Sequence, residues 1–285
     1  MSQVYLNGDY MAPEEAKISP MDRGFLFGDG IYEVIPAYHG KMLGFNAHIE
    51  RMQQGLAAIE IALDYSPAQW REICETLLST NPGPNQGIYL HVSRGTDSKR
   101  NHAYPSNVAP TVFAFCFTLP GEPSKDADTA TSYEVSLEQD RRWQRCNIKS
   151  TALLGNVMHY QSGARVGNKE TILYNALGEI TEASSSNVFI VKDGVIATPP
   201  LDTQILPGIT RWLILQIVHS HSELRIEERV ISKDELLSAD EVWITSATKE
   251  VGPVLKVDGK QIGQGRPGPM WQRVQGLFSQ HKFDY

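Results

Sequence analysis

Cysteine is scarce in this chain, and the three present, Cys74, Cys116 and Cys146, are odd in number, widely spaced and set among apolar residues. That argues against a disulfide framework or a cysteine zinc site and suits a reducing compartment. Long apolar runs are missing too. Stretches such as Trp212 to Leu215 are far too short to span a bilayer, and Met1 to Asp9 lacks a basic start followed by an apolar segment. No block of lysine or arginine occurs, and the formal charge is −7. An acidic surface repels nucleic acid, so neither DNA nor RNA is an expected partner. No segment recurs at a fixed period, which argues against solenoids and arrays. These absences leave a soluble cytoplasmic protein with a small-molecule partner as the expectation.

With 285 residues and 41% apolar content, the chain can bury a sizeable core. The pattern reads as two α+β domains. In the first, 1–118, Val4 to Leu6 turns at Asn7-Gly8 into a strand from Tyr10, and Ile31 to Tyr38 reads as a strand that Pro36 pushes toward an edge or a bulge. A helix follows an Asn46 cap, with Ile49, Met52, Leu56 and Ile59 at helical spacing. A second opens on the Ser66, Pro67, Gln69 capping box. Ile88, Leu90 and Val92 alternate with polar or amphipathic neighbours, and Val112 to Phe117 is a further strand. Residues 119–132, rich in Pro, Gly, Ser, Asp and Lys, form a linker.

The second domain, 133–285, is predicted to hold strands at Val135 to Leu137 and Cys146 to Ile148 and a helix from about Thr151. Hairpins turn at Leu177-Gly178 and Asp193-Gly194, a helix runs from Thr210 to Val218, and a capping box joins Ser232 to Glu235. Strands at Val242 to Thr245 and Val254 to Val257 complete the pattern. The expected site is a cleft between the domains.

Several residues carry chemistry by type and placement. Lys149 stands at the junction of an expected strand and an apolar helix, where burial favours a neutral amine able to form a Schiff base; an ordinary surface lysine fits the same spot. Glu182 with Ser184, Ser185 and Ser186 makes a polar cradle before an apolar strand, or a turn whose serines satisfy their own backbone. Gly208-Ile209-Thr210 offers free amides at a helix start, suited to phosphate and equally to a plain helix entry. Arg51 is a permanent charge on an amphipathic helix, where a solvated face is the alternative. Arg94 to His102 gathers positive charge on a loop suited to gripping a carboxylate, or simply to solubility.

Taken together, Asp22 to Val34, His48 to Arg51, Cys146 to Ser150, Glu182 to Phe189 and Leu206 to Arg211 resemble, in order and over nearly the whole chain, the fold-type IV enzymes that use pyridoxal 5'-phosphate (PLP). Within them the chain is most similar to the D-amino-acid aminotransferases. The resemblance implies Lys149 as the Schiff-base lysine and Glu182 as partner of the cofactor's ring nitrogen. Arg51, Gly208, Ile209 and Thr210 would lie around its phosphate, with Ser185, Ser186, Ser246 and Ala247 completing the pocket. Tyr32, Arg100 and His102 would take the substrate α-carboxylate, the last two reaching from the other subunit of a homodimer. No metal is implied. Ala183 stands where glycine is usual in the family, and Ala247 where a hydroxyl residue often lies, which can remove one phosphate hydrogen bond. The activity implied is ping-pong transfer between a D-amino acid and a 2-oxo acid, with Lys149 as base and then acid. L-branched-chain aminotransferase, aminodeoxychorismate lyase, R-selective amine transaminase and a cofactor-binding protein without turnover are the rival readings.

Overall fold

The computed structural model describes residues 2–285. They divide into two compact units, the chain up to Glu122 with Ile148–Leu153, and Pro123–Asn147 with Leu154–Tyr285. Among the described residues no helix is long and apolar enough to cross a membrane.

The first unit contains, in order, β1 (Val4–Leu6), β2 (Asp9–Met11), α1 (Arg23–Phe27), β3 (Gly30–Tyr38), β4 (Lys41–Met42), α2 (Phe45–Ala58), α3 (Pro67–Thr80), β5 (Asn85–Ser93) and β6 (Thr111–Thr118). Asn7 and Gly8 take φ 51° and 110° in the β1–β2 turn, a conformation that an Asn-Gly pair adopts at little cost. The sheet order is β2-β1-β6-β5-β3-β4. β3 pairs with β5 over its whole length but with β4 only at Ala37 and Tyr38, so Pro36 forfeits no long ladder on that side. The capping box of α3 is present, Ser66 Oγ accepting from the Gln69 amide. The core of the unit comprises Ile31 and Ile35 of β3, Ile49, Met52 and Leu56 of α2, Trp70, Cys74 and Leu77 of α3, and Ile88, Leu90 and Val92 of β5.

Asn46 is not the cap of α2. Gly44, in the left-handed region at φ 60°, precedes the helix with no side-chain cap, and Asn46 instead accepts a hydrogen bond from Arg71. Cys146 to Ile148 is not a strand either. The Cys146 amide bonds to Thr203 O, and pairing begins three residues later, where Tyr32 N–H donates to Lys149 O and Thr151 N–H to Gly30 O. An available partner edge outweighs β propensity, and this short bridge holds Lys149 on β3.

The second unit holds β7 (Tyr133–Gln139), α4 (Leu154–Arg165), β8 (Thr171–Tyr174), β9 (Ile180–Ala183), β10 (Asn187–Lys192), β11 (Val195–Thr198) and α5 (Ile209–His221). They are followed by β12 (Ile226–Glu228), α6 (Lys233–Leu237), β13 (Glu241–Ser246), β14 (Glu250–Val257), β15 (Lys260–Gln261) and α7 (Pro269–His281). The mixed sheet runs β12-β11-β10-β13-β14-β7-β8-β9, with β15 on β14. Gly178 at φ 79°, and Asp193 and Gly194 at 49° and 76°, form the two hairpin turns expected. α4 begins at Leu154, later than the sequence pattern indicates. Along β13, Val242 and Ile244 enter one apolar cluster, while Trp243 is buried on the opposite face; α5 and α7 both pack against this strand.

α7, unmarked in the sequence reading, is anchored by carboxylates at both ends. Glu241 accepts from the Met270 and Trp271 amides at its start, 2.9 and 2.8 Å away. Beyond its end, Lys282 donates to Glu250 Oε1 over 2.5 Å, both side chains 1% exposed, and Gln275 donates to Oε2 over 2.8 Å. Removing the cation from such a pair costs about 3–5 kcal/mol, whereas replacing both charges with apolar groups is close to neutral. Lys282→Met should therefore lower the urea unfolding free energy by about that amount, and Lys282→Met with Glu250→Leu should recover most of it. An unchanged unfolding midpoint in Lys282→Met would remove the pair from the stability of α7.

Candidate functional site

The residues singled out by sequence fall into one group in each unit. In the first, strand alternation on β3 puts Ile31, Glu33 and Ile35 on the core face, all 0% exposed. The Glu33 carboxylate faces α2 there. Arg51 Nε and Nη2 donate to its two oxygens over 2.7 Å each, and His48 Nδ1 is 2.7 Å from Oε2. Burial pushes Glu33 upward, but the charges of Arg51 and His48 outweigh it and hold the carboxyl well below the usual range. His48 is lowered, chiefly by burial, with Arg51 and Lys149 adding to the effect and Glu33 opposing it.

Tyr32 projects from the other face of β3. Lys149 Nζ donates to its hydroxyl over 3.3 Å and lies 4.3 Å from the ring centroid. Tyr32 stacks on Tyr89 at 5.7 Å, and the Tyr89 hydroxyl is 3.1 Å from His91 Nδ1, so the phenol is held on two sides. The structure thus brings Lys149 to Tyr32 on one face of β3 and Arg51 to Glu33 on the other.

Arg100 and His102 lie elsewhere in this unit. Both are exposed and gather at Phe27, 5.0 and 5.4 Å from its ring. Among the described residues no hydrogen bond or ring contact joins either to Tyr32 or Lys149. Their loop is strapped down by buried charge. Asp29 Oδ2 accepts from Arg23 Nε and Arg94 Nε over 2.8 Å each, Arg23 Nη1 donates to Asn101 O over 2.5 Å, and Arg94 lies 3.5 Å from the Tyr104 ring. Asp22 caps α1 through the Gly24 amide and accepts from Ser93 and Thr111, tying the Asp22 to Asp29 segment to β5 and β6.

In the second unit Glu182 is buried in β9. Arg142 Nη1 donates to Oε1 over 2.6 Å; Asn187 Nδ2 and the Leu206 amide donate to Oε2 over 3.2 and 3.0 Å. Asp140 holds the other edge of Arg142 through Nε and Nη2 at 3.0 and 2.7 Å. Burial pushes Glu182 up to about 7, against the pull of Arg142 and the Leu206 amide. Burial likewise pushes Asp140 upward, but the Arg142 guanidinium outweighs it and leaves that carboxyl lowered. Arg142 and Asp140 were not picked out by sequence reasoning. Forty residues separate Arg142 from Glu182, and only a charged pair after a strand marked the segment.

The serine run satisfies a carboxylate rather than its own backbone. Ser184, Ser185 and Ser186 all donate to Glu170, which is 0% exposed, and Lys249 Nζ lies 3.6 Å from it. Sequence gave no signal for Glu170, since a lone glutamate before a strand is ordinary. Gly208 precedes α5 with no side-chain cap, so the first amides of that helix, at Ile209 and Thr210, have no intrahelical acceptor. A Cβ at Gly208 would lie 2.0 Å from Asn187 Oδ1; only glycine fits. Thr245, paired with Asn187 across β10 and β13 and so on the same face, has a buried hydroxyl without a partner. Ser246, next along, accepts from the Lys249 amide, and Ala247 is partly buried. Uncapped amides, a buried Thr210 and an unsatisfied hydroxyl suit an anion rich in acceptor oxygens, as a phosphate is.

The model of the family amino-transferase class IV matches residues 30–257. D-alanine aminotransferase of Bacillus licheniformis is 41% identical over 273 residues, covering 96% of this chain and 94% of its own. That of Staphylococcus haemolyticus is 37% identical over 283 residues, 99% and 98% of the two chains. Among solved structures, the branched-chain amino acid aminotransferase of Escherichia coli is similar with a TM-score of 0.85 at 26% identity, over 98% of this chain and 93% of that one. The branched-chain aminotransferase of Thermoproteus uzoniensis, at 23% identity and a TM-score of 0.85 over 99% and 95%, shares the fold.

Two buried carboxylates displaced in opposite directions give opposite pH dependences. Glu33, held low, stabilises the fold above the usual value of 4.5, and that contribution is lost as pH falls below it. Glu182, raised to about 7 from 4.5, favours folding below 4.5, and that contribution fades as pH rises toward 7. In urea unfolding from pH 4 to 8, the advantage of wild type over Glu33→Gln should shrink toward the acid end. Its advantage over Glu182→Gln should shrink toward the neutral end. Parallel curves for the two variants would contradict these environments.

Proposed function

The chain belongs to the amino-transferase class IV family and is an aminotransferase of fold type IV, and from that premise we propose transamination between D-amino acids, such as D-alanine or D-glutamate, and 2-oxo acids, such as 2-oxoglutarate or pyruvate. Pyridoxal phosphate is its cofactor. The observation that carries the reading is the amine of Lys149, set 3.3 Å from the Tyr32 hydroxyl on a bridge to β3, in a chain similar over its length to D-alanine aminotransferases.

When bound, pyridoxal phosphate supplies a sink for the electron pair left as the substrate Cα–H bond breaks. Lys149 Nζ takes that proton as a base and returns it as an acid, with Tyr32 Oη holding the amine in place. Glu182 is assigned to the ring nitrogen, where its ionised form favours a proton; Arg142, donating to Oε1, favours that ionised form. Arg51, the α5 amides of Ile209 and Thr210 behind Gly208, and Ser246 and Ala247 are assigned to the phosphate. Ser185 and Ser186 have their hydroxyl protons engaged by Glu170, so they would offer a ligand oxygen lone pairs or backbone amides. Tyr32, Arg100 and His102 take the substrate carboxylate, Arg100 and His102 acting from a second copy of the chain. Support for a homodimer comes from α4, where Leu154, Val157 and Met158 form an exposed apolar stripe at helical spacing. Three unpaired cysteines support a reducing, cytoplasmic setting.

Lys149→Ala should lower turnover of D-alanine with 2-oxoglutarate by about 10³-fold or more, measured as pyruvate formed. D-alanine alone should bleach the yellow protein to its colourless form. Bleaching by L-leucine and not by D-alanine would replace this reading with the L-branched-chain one, which the shared fold leaves open. For the assembly, sedimentation should show a dimer in wild type and monomers in Val157→Glu with Met158→Glu; a monomeric wild type would leave Arg100 and His102 without the assigned role.

A further inference from the structure

Two imidazoles outside these groups meet where two helices end. His221 is the last residue of α5 and His281 the last of α7, helices that pack on each other. Their rings lie face to face, with centroids 3.7 Å apart and planes 8° from parallel. Asp284 places Oδ2 2.8 Å from His281 Nδ1, and the Tyr285 hydroxyl is 3.4 Å from His221 Nε2. One ligand atom from each of His221, His281 and Asp284 can be chosen so that all lie within 4.8 Å of one another.

We propose that His221, His281 and Asp284 form a surface site for one divalent transition-metal ion of the Zn²⁺ or Ni²⁺ kind. The donor set is the first argument. Two imidazole nitrogens and one carboxylate oxygen suit these ions, whereas Mg²⁺ and Ca²⁺ take oxygen shells. Distance is the second. Bonds of about 2.0–2.1 Å at tetrahedral angles require donors about 3.3 Å apart, so the three groups need to close by about 1.5 Å at most, and one ring must turn out of the parallel stack so that its in-plane lone pair meets the ion. His221 and Asp284 are exposed and His281 partly so, and rotation about side-chain bonds supplies such a movement at small cost. The local field is the third. The terminal carbonyls of α5 and α7 leave partial negative charge at the place where the rings meet, and Asp284 adds a full one.

Exposure leaves the remaining coordination positions to water. α5 has 13 residues, so the ion would sit about 20 Å from the Ile209 and Thr210 end of that helix. It would fasten the end of α7 to the end of α5 and take no part in proton transfer at Lys149.

The test is calorimetric titration of tag-free, cofactor-loaded protein with Zn²⁺, Ni²⁺ and Mg²⁺ in a non-chelating buffer. Wild type should take up one equivalent of Zn²⁺ or Ni²⁺ per chain and no Mg²⁺. His221→Gln and His281→Gln should each weaken uptake about tenfold or more, and the metal should raise the melting temperature of wild type alone. Transaminase activity, equal in wild type and variants, confirms that the variants fold. Equal uptake by wild type and by the double variant His221→Gln with His281→Gln would place the metal on other groups and overturn the proposal. So would no uptake by wild type at millimolar metal.

Discussion

A carboxylate on the core face of a strand cannot stand alone, and Glu33 imposes that constraint on the first unit. It lies between Ile31 and Ile35 on β3, beneath α2. An ionised group there loses its water entirely and must recover the loss from fixed partners. α2 supplies two from one face, His48 and Arg51, three residues apart and adjacent on a helix. The register of α2 over β3 is thereby set by polar contacts as well as by Ile49, Met52 and Leu56. Because side chains alternate, the same register turns Tyr32 to the opposite face, where Lys149 meets it. A two-residue bridge of Tyr32 N–H to Lys149 O and Thr151 N–H to Gly30 O completes the link.

The second unit answers the same constraint four times, with different partners and different results. Glu250 takes a lysine, Glu241 the amides that start α7, Glu170 three serine hydroxyls and Glu182 an arginine. Glu33 and Glu182 differ instructively. Glu33 holds Arg51 by two oxygens with His48 beside it, and stays low; Glu182 shares Arg142 with Asp140, receives one of its nitrogens, and rises to about 7. A carboxyl poised there responds strongly to any further positive charge brought near it. Asp140 therefore tunes Glu182 by competing for the same guanidinium.

Local signals in the sequence were legible where the physics is local. Asn7-Gly8, Asp193-Gly194, the Ser66 to Gln69 box and the alternation of Ile88, Leu90 and Val92 each specify an element within a few residues, and each is found. Where a distant partner decides, sequence pattern misled. Cys146 to Ile148 has strand composition but finds no edge at those residues, and Asn46 has cap chemistry but Gly44 bends the chain first. Charged partners were the least visible. Lys149, Glu182 and Arg51 stand out by type and placement, whereas Arg142 lies 40 positions from the Glu182 it pairs with, Glu170 lies 14 to 16 from the serines it holds, and neither they nor Asp140 carry a motif of their own.

Handedness of the substrate is the property least tied to the backbone. Enzymes named for D-alanine and for branched-chain amino acids share this fold, so selection must rest with side chains and the loops that present them. The Arg94 to Tyr104 loop is suited to that work. Arg100 and His102 are exposed, yet the carbonyls of Asn101 and His102 are held by buried Arg23, and Arg94 is forked onto Asp29 beneath them. A loop ordered by its own unit does not lose that conformational entropy again when a ligand arrives, and each immobilised side chain otherwise costs about 0.5–1.5 kcal/mol. Buried charge under an exposed cationic loop thus holds the backbone that carries Arg100, and under the carboxylate role proposed for Arg100 such ordering would favour one position of a substrate carboxylate over another.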